Sequence, residues 1–147
     1  MTTKKSGKLG AADYEIEIEP NGNATVRVCR DYSGKEPLKI APRVWQIVAN
    51  FGGVKTIFPS LLSVNLTYPD DTDATTNTVR YMTFAPSDPG KPISSNNPLP
   101  LGVEQLIQLD EASRQLTYIS VLGLPVTNYR SIMQVTDDGQ CRLTWTS

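Results

Sequence analysis

The chain contains no histidine, so any proton transfer or nucleophilic step has to be carried by Asp, Glu, Tyr, Lys or Cys. That excludes Ser-His-Asp and Cys-His machinery and every His-ligated metal. Two cysteines, Cys29 and Cys141, lacking Cys-x-x-Cys spacing, are too few for a disulfide scaffold or a cysteine-only zinc site, and read as buried thiols. Asp70, Asp71 and Asp73 fall in the tract PDDTDATTN, but the remaining spacing and terminal glutamate of a calcium loop are missing, so the tract reads as a solvated turn. Neither a metal nor a cofactor is implied. Two other charges stand out. Arg80 in TNTVRYMTF and Glu104 in LGVEQLIQLD each interrupt a largely apolar, alternating segment. A charge buried in such a segment requires a partner or a purpose, and a structural ion pair or a ligand-polarising pair satisfies that requirement equally well.

The elements that position these groups follow from period. In YEIEIE, Tyr14, Ile16 and Ile18 share one face and Glu15, Glu17 and Glu19 the other, a half-exposed strand. Pro20-Asn21-Gly22-Asn23 supplies turn residues, and residues 24–30 resume an extended pattern, so 13–30 is predicted as a hairpin. Residues 1–12, with Lys4, Lys5 and Lys8 and no apolar period, read as a flexible tail. Pro42 suits a helix's first turn, Val44, Ile47, Val48 and Phe51 keep helical spacing, and Gly52-Gly53 stops it, predicting a helix over 42–51 with Trp45 packed toward a sheet. Another short helical turn is predicted within 54–62. Strands follow at 64–68, 77–85, 102–109, 115–123, 127–136 and 140–146. The Pro/Gly/Ser/Asn-rich connector PSDPGKPISSNNPLPLG is long enough for a mobile lid. The class is α+β, a mainly antiparallel sheet with early helices.

With 147 residues the chain fits one domain, 13–147, after its tail. Apolar residues make up 39% and charged residues 20%, which can bury a core and argues against disorder. Fourteen basic against fifteen acidic residues leave no net field for nucleic acid or an anionic membrane. No apolar run reaches the ~20 residues of a bilayer span, and MTTKKSGKLG lacks a signal peptide's apolar segment, so membrane insertion is not expected and the cytoplasm is the expected compartment.

Taken in order, PRVWQIVANFGG, TNTVRYMTF, GVEQLIQLDEASRQLTYISV and LPVTNYRSIMQV resemble the START-like, helix-grip superfamily also called SRPBCC, which includes polyketide cyclases, the birch-pollen allergen group, lipid-transfer domains and the abscisic-acid receptors. The resemblance covers roughly 24–146. It implies a curved antiparallel sheet gripping a long C-terminal helix, with an apolar cavity between them. It places Arg80, Met82 and Phe84 inward, with Glu104 beside them, then Tyr118 and Ser120, then Tyr129, Ser131 and Met133. In the receptor-like branch SSNNPLPLG stands where a gate loop would be and Gly123-Leu124-Pro125-Val126 where a latch would be. The receptors' ligand-pairing lysine is replaced by Leu62, and the latch's His-Arg pair by Leu124 and Pro125, so a hormone-receptor role is not implied.

Two functions are consistent with these residues. One is a binding or carrier domain for a small apolar, aromatic or lipid-like ligand, lined by Leu62, Met82, Phe84, Tyr118, Ser120, Leu124 and Met133, with Arg80, Glu104, Tyr129 and Ser131 orienting a polar end. The other is a polyketide cyclase or dehydratase in which Glu104 or Tyr129 transfers a proton. CRLTWTS reads as the start of the family's last strand, so the gripped C-terminal helix is expected to be missing from this chain. Met82, Phe84, Tyr118 and Met133 are then expected to be underfilled, with a tendency to form a homodimer.

Overall fold

Residues 1–9, 12–30, 40–58, 60–68, 76–123, 127–137 and 141–147 are described by a computed structural model. In chain order the elements are β1 (Thr3–Leu9), β2 (Ala12–Ile18), β3 (Ala24–Arg30), α1 (Ile40–Ala49), a 3-10 turn (Phe51–Thr56), β4 (Leu61–Thr67), β5 (Val79–Phe84), β6 (Leu101–Asp110), β7 (Gln115–Leu122), β8 (Arg130–Asp137) and β9 (Cys141–Thr146). The strands hydrogen-bond in the order β1-β2-β3-β9-β8-β7-β6-β5-β4, and each described register is antiparallel. This is the expected α+β helix-grip architecture, with its short helical segments between the third and fourth strands. The last element of the described chain is β9. No helix is long and apolar enough to cross a membrane, and no group of three or more His, Cys, Asp or Glu side chains could hold a metal, among the described residues.

The chain divides into two compact units. The first comprises Met1–Ala49, Gln108–Thr117 and Arg130–Ser147. Here the alternation of YEIEIE pairs with 24–29 as the predicted hairpin, turning through Gly22 at φ 90°. The expected flexible tail is corrected: residues 3–9 form β1, paired along its length with β2. Its own sequence has no strand period, because its partners supply the stability. Lys4 reaches Glu17 at 3.2 Å, Lys8 reaches Asp13 at 2.5 Å, and the Tyr14 ring lies across Gly7, where a Cβ would stand 2.8 Å from the tyrosine hydroxyl and displace the ring. Helix α1 buries Ala41, Trp45 and Val48 and lies against β8 and β9. The Trp45 indole donates to Glu111 Oε2 at 2.5 Å, so its role is helix-to-sheet packing with its N–H satisfied.

The second unit comprises Asn50–Ile107 and Tyr118–Tyr129. The predicted helix over 42–51 stops at Ala49 because the Asn50 side chain accepts the Gly53 N–H at 3.0 Å and opens the 3-10 turn, carrying Phe51 into it. Val54 of that turn packs with Leu61 and Met82, joined by Val64 and Phe84. Leu66 approaches Gly52 so closely that a Cβ would stand 2.8 Å from it, which explains the Gly-Gly pair by packing as well as by termination. The long connector is tied internally. The buried Asn97 side chain donates to the carbonyls of Asp88 (2.9 Å), Lys91 (3.2 Å) and Pro92 (3.4 Å), and its own carbonyl accepts the Asp88 N–H at 3.3 Å.

Candidate functional site

The site lies within the second unit and starts from strand parity. Arg80 and Glu104 are partners in the β5–β6 register, so their side chains leave the same face. The guanidinium Nε donates to Glu104 Oε2 at 2.6 Å and Nη2 approaches the same oxygen at 2.5 Å. Only 6% of the Arg80 side chain and 12% of the Glu104 side chain are exposed. Nη1 donates to the Phe51 carbonyl at 3.0 Å. The guanidinium carbon stands 4.1 Å from the Phe51 ring centre and 4.9 Å from that of Tyr118. Arg80 is thus bonded through all three nitrogens and flanked by two aromatic rings at cation–π distance.

Glu104 is bonded differently. Both Arg80 contacts fall on Oε2, and Oε1 accepts no hydrogen bond among the described residues. Burial holds this carboxyl above the usual glutamate range, outweighing the pull of Arg80. The arrangement therefore offers one acceptor, or when protonated one donor, beside aromatic rings. Phe51 and Tyr118 lie 6.3 Å apart at 54°, and Tyr118 and Tyr129 6.4 Å apart at 49°.

The other sequence-derived residues scatter. Met82 and Tyr118 are buried, Met82 against Val54 of the 3-10 turn, so the expectation that they are underfilled is corrected. Phe84 is half-buried at the edge of the same cluster. Ser120 is half-buried, its hydroxyl 3.5 Å from the Leu122 carbonyl, and Tyr129 is half-buried. Leu62 is 48% exposed, because the β4 register shifts between Leu61 and Ser63 and Leu61 takes the inward place. Leu124, with Pro125 and Val126, lies outside the described residues, as do Asp70, Asp71 and Asp73. Ser131 and Met133 belong to the first unit, where both are buried; Met133 stands opposite Trp145, whose indole donates to Ser131 Oγ. That hydroxyl is therefore engaged within the sheet. The residue missed from the sequence is Phe51, which reads as one more helical apolar position; the signal was the Asn before it and the Gly-Gly after it.

A nine-strand antiparallel sheet with short helical segments after β3, carrying a buried charge pair among aromatic rings, defines a START-like, helix-grip domain. Residues 40–147, well over half of the chain, match the family described as polyketide cyclase/dehydrase and lipid transport, and the chain belongs to that family. Among solved structures it is similar to a Thermobifida fusca protein determined by solution NMR, at 26% identity and a TM-score of 0.53 over 72% of this chain. It spans 63% of the length of that protein. It is also similar in fold to the major latex-like protein 151 of Panax ginseng, at 12% identity and a TM-score of 0.59 over 85% of this chain and 76% of that one. An uncharacterised Bacillus thuringiensis protein shares the fold at 20% identity and a TM-score of 0.58, over 85% and 75% of the two chains. No functionally curated protein matches the sequence.

Proposed function

We propose that the domain binds a small apolar or aromatic ligand whose single hydrogen-bond donor, a hydroxyl or amine, is accepted by Glu104 Oε1. The observation that carries this reading is the asymmetry of the ion pair: Arg80 is bonded through all three nitrogens and flanked by two aromatic rings, whereas both of its contacts to Glu104 fall on Oε2 and leave Oε1 unspent. Arg80 acts on the ligand indirectly, by fixing the carboxylate; Tyr129 and Ser120 supply further contacts from β7 and the segment after it. Calorimetric titration with 2-naphthol, 2-methoxynaphthalene and naphthalene tests it. The naphthol is expected to bind at least about tenfold more tightly than the other two, the worth of one hydrogen bond to a charged group, with Glu104→Leu erasing the preference. Equal affinities, or no binding of any of the three, overturn it.

A second reading, a cyclase or dehydratase acting on a polyketide-like chain, is favoured by the raised Glu104 carboxyl, which keeps a proton to donate at a pH where an ordinary glutamate has lost it. Glu104 is then the proton donor, with Tyr129 the alternative. Turnover of a reactive polyketone, lost in Glu104→Gln while 2-naphthol binding persists, separates enzyme from carrier.

A further inference from the structure

A groove of about 510 Å³ in the first unit is lined by Ser6, Asp13, Glu15, Arg27, Cys29 and Arg142. Register explains how residues from four strands meet there. Lys8 stands opposite Asp13, Asp13 opposite Cys29 and Cys29 opposite Arg142, so this row of side chains leaves one face of β1, β2, β3 and β9. The next row on that face is Ser6, Glu15 and Arg27. The thiol thus has a carboxylate on one side and a guanidinium on the other. Cys29 is half-buried and in no disulfide, whereas Cys141 is buried and leaves the opposite face. The charges of the groove meet water: the Asp13 side chain is 64% exposed, Glu15 44% and Arg27 38%. Asp13 pairs with Lys8, and Arg27 with Glu15 and Glu17, in surface ion pairs that a solute can share or replace at little cost.

We propose that this groove docks a small disulfide bearing both ammonium and carboxylate groups, and that Cys29 exchanges with it. Spacing selects the class. Directly opposite residues of an antiparallel pair stand about 4.5–5.5 Å apart, so Asp13 and Arg142 flank the thiol roughly 10 Å from each other. A symmetric amino-acid disulfide matches that span: its two α-carbons lie about 5.5–6 Å apart around a central S–S bond, and each carries both charges beyond it. Laid across the strands, it sets its sulfurs over Cys29, one ammonium toward Asp13 and the opposite carboxylate toward Arg142. The Cys29 sulfur, its proton given to water, attacks one ligand sulfur; the new S–S bond forms as the old one breaks, and the departing half leaves as a thiolate that takes a proton from water. Cys29 is oxidised and the departing half is reduced, so no other oxidant is needed. The groove shares no residue with the Glu104 site, and the failure of one leaves the other untouched.

Mass spectrometry of the whole reduced chain, sampled during incubation with cystine or with the neutral bis(2-hydroxyethyl) disulfide, tests it, with peptide mapping to separate Cys29 from Cys141. Each rate is divided by that of the same cysteine in the urea-unfolded chain, which removes the intrinsic difference between the two reagents. On that scale Cys29 is expected to favour cystine at least about fivefold, the worth of two partly exposed charge contacts, and Cys141 to show no preference. Asp13→Asn and Arg142→Gln, on different strands and each checked by circular dichroism, should each cut the preference by at least about half. Either variant suffices if the other folds poorly. No preference at Cys29, an equal preference at Cys141, or a preference that survives substitution overturns the proposal.

Discussion

Arg80 holds Phe51 twice: Nη1 donates to the Phe51 carbonyl at 3.0 Å, and the guanidinium carbon lies 4.1 Å from the centre of the Phe51 ring. One side chain of the sheet thus anchors both the backbone and the ring of the 3-10 turn. The buried cation is at once the partner of Glu104 and the fastening of the segment that covers Met82.

Removing that cation alone should be expensive. Arg80→Met leaves Glu104 buried without a counter-charge and the Phe51 carbonyl without its donor, a loss expected at about 3–5 kcal/mol. Arg80→Met with Glu104→Met removes both charges and should recover at least about 1 kcal/mol of it. Urea denaturation of the two variants gives the comparison, and a double variant no more stable than the single one would contradict the pairing.

The raised carboxyl of Glu104 sets a pH dependence with a definite sign. A native carboxyl that keeps its proton more tightly than the unfolded chain does contributes no penalty below the ordinary glutamate value; it then costs stability as pH climbs from there through its raised value. Glu17, held low chiefly by its hydrogen bond to Lys4, and Asp110, held low chiefly by Ser113, act in the opposite sense: their contribution is present above the ordinary carboxylate range and lost as pH falls through their lowered values. Unfolding midpoints of wild type and Glu104→Gln measured from acid to neutral pH should therefore diverge in favour of the glutamine as pH rises. Parallel curves would contradict the raised value.

Asn97 holds the 88–97 connector from inside. Asn97→Ala strips three carbonyls and one N–H of their shared partner and is expected to cost about 1–3 kcal/mol locally. Hydrogen exchange followed by mass spectrometry should show amides of 86–98 speeding up while β5 and β6 keep their protection. Unchanged exchange in the connector would show that its order comes from elsewhere.

Gly123 has φ 102°, and a Cβ on it would overlap the Leu101 carbonyl oxygen, which is backbone and has no rotamer to retreat into. Gly123→Ala should therefore lower the melting temperature by several degrees, through strain of about 1–3 kcal/mol before the overlap is counted. Calorimetry that finds the variant as stable as wild type would require the end of β7 to sit elsewhere.

Cys29 faces Arg142 across the β3–β9 ladder, and Cys141 faces Arg30, so the two thiols leave opposite sides of the sheet. A disulfide needs its Cβ atoms about 3.8 Å apart and pointing together. Burial also pushes the Cys141 thiol up, against the thiolate that oxidation needs. Peptide mapping after mild oxidation should find no Cys29–Cys141 bridge.

Strand period made much of this legible. The YEIEIE alternation predicted β2 and its hairpin, and parity together with the family resemblance set Arg80 and Glu104 on one face, as partners in the β5–β6 register are. β1 was not legible: TKKSGKL carries no apolar stripe, and what fixes it, the pairing of Lys4 and Lys8 with acidic residues of β2 and the Tyr14 ring over Gly7, belongs to its neighbour. The fate of the Ser131 hydroxyl was equally hidden, since it depends on Trp145 of another strand. Leu62 entered the site by resemblance alone, and the register shift between Leu61 and Ser63, which leaves it 48% exposed, has no signal in the sequence.

The ladder between β3 and β9 joins residues far apart in sequence: the Thr25 and Thr146 hydroxyls meet at 3.4 Å across 121 intervening steps of the chain. Loop closure over such a span is slow, so this seam is expected to form late in folding and to set its rate. During synthesis the β1–β2–β3 meander, whose contacts are local, can pair while β9 is still unmade, and it then waits with the β3 edge unpaired. The nascent chain is most open to wrong strand pairing in that interval, and a holding chaperone would find its target at the Val26 and Val28 stretch of that edge.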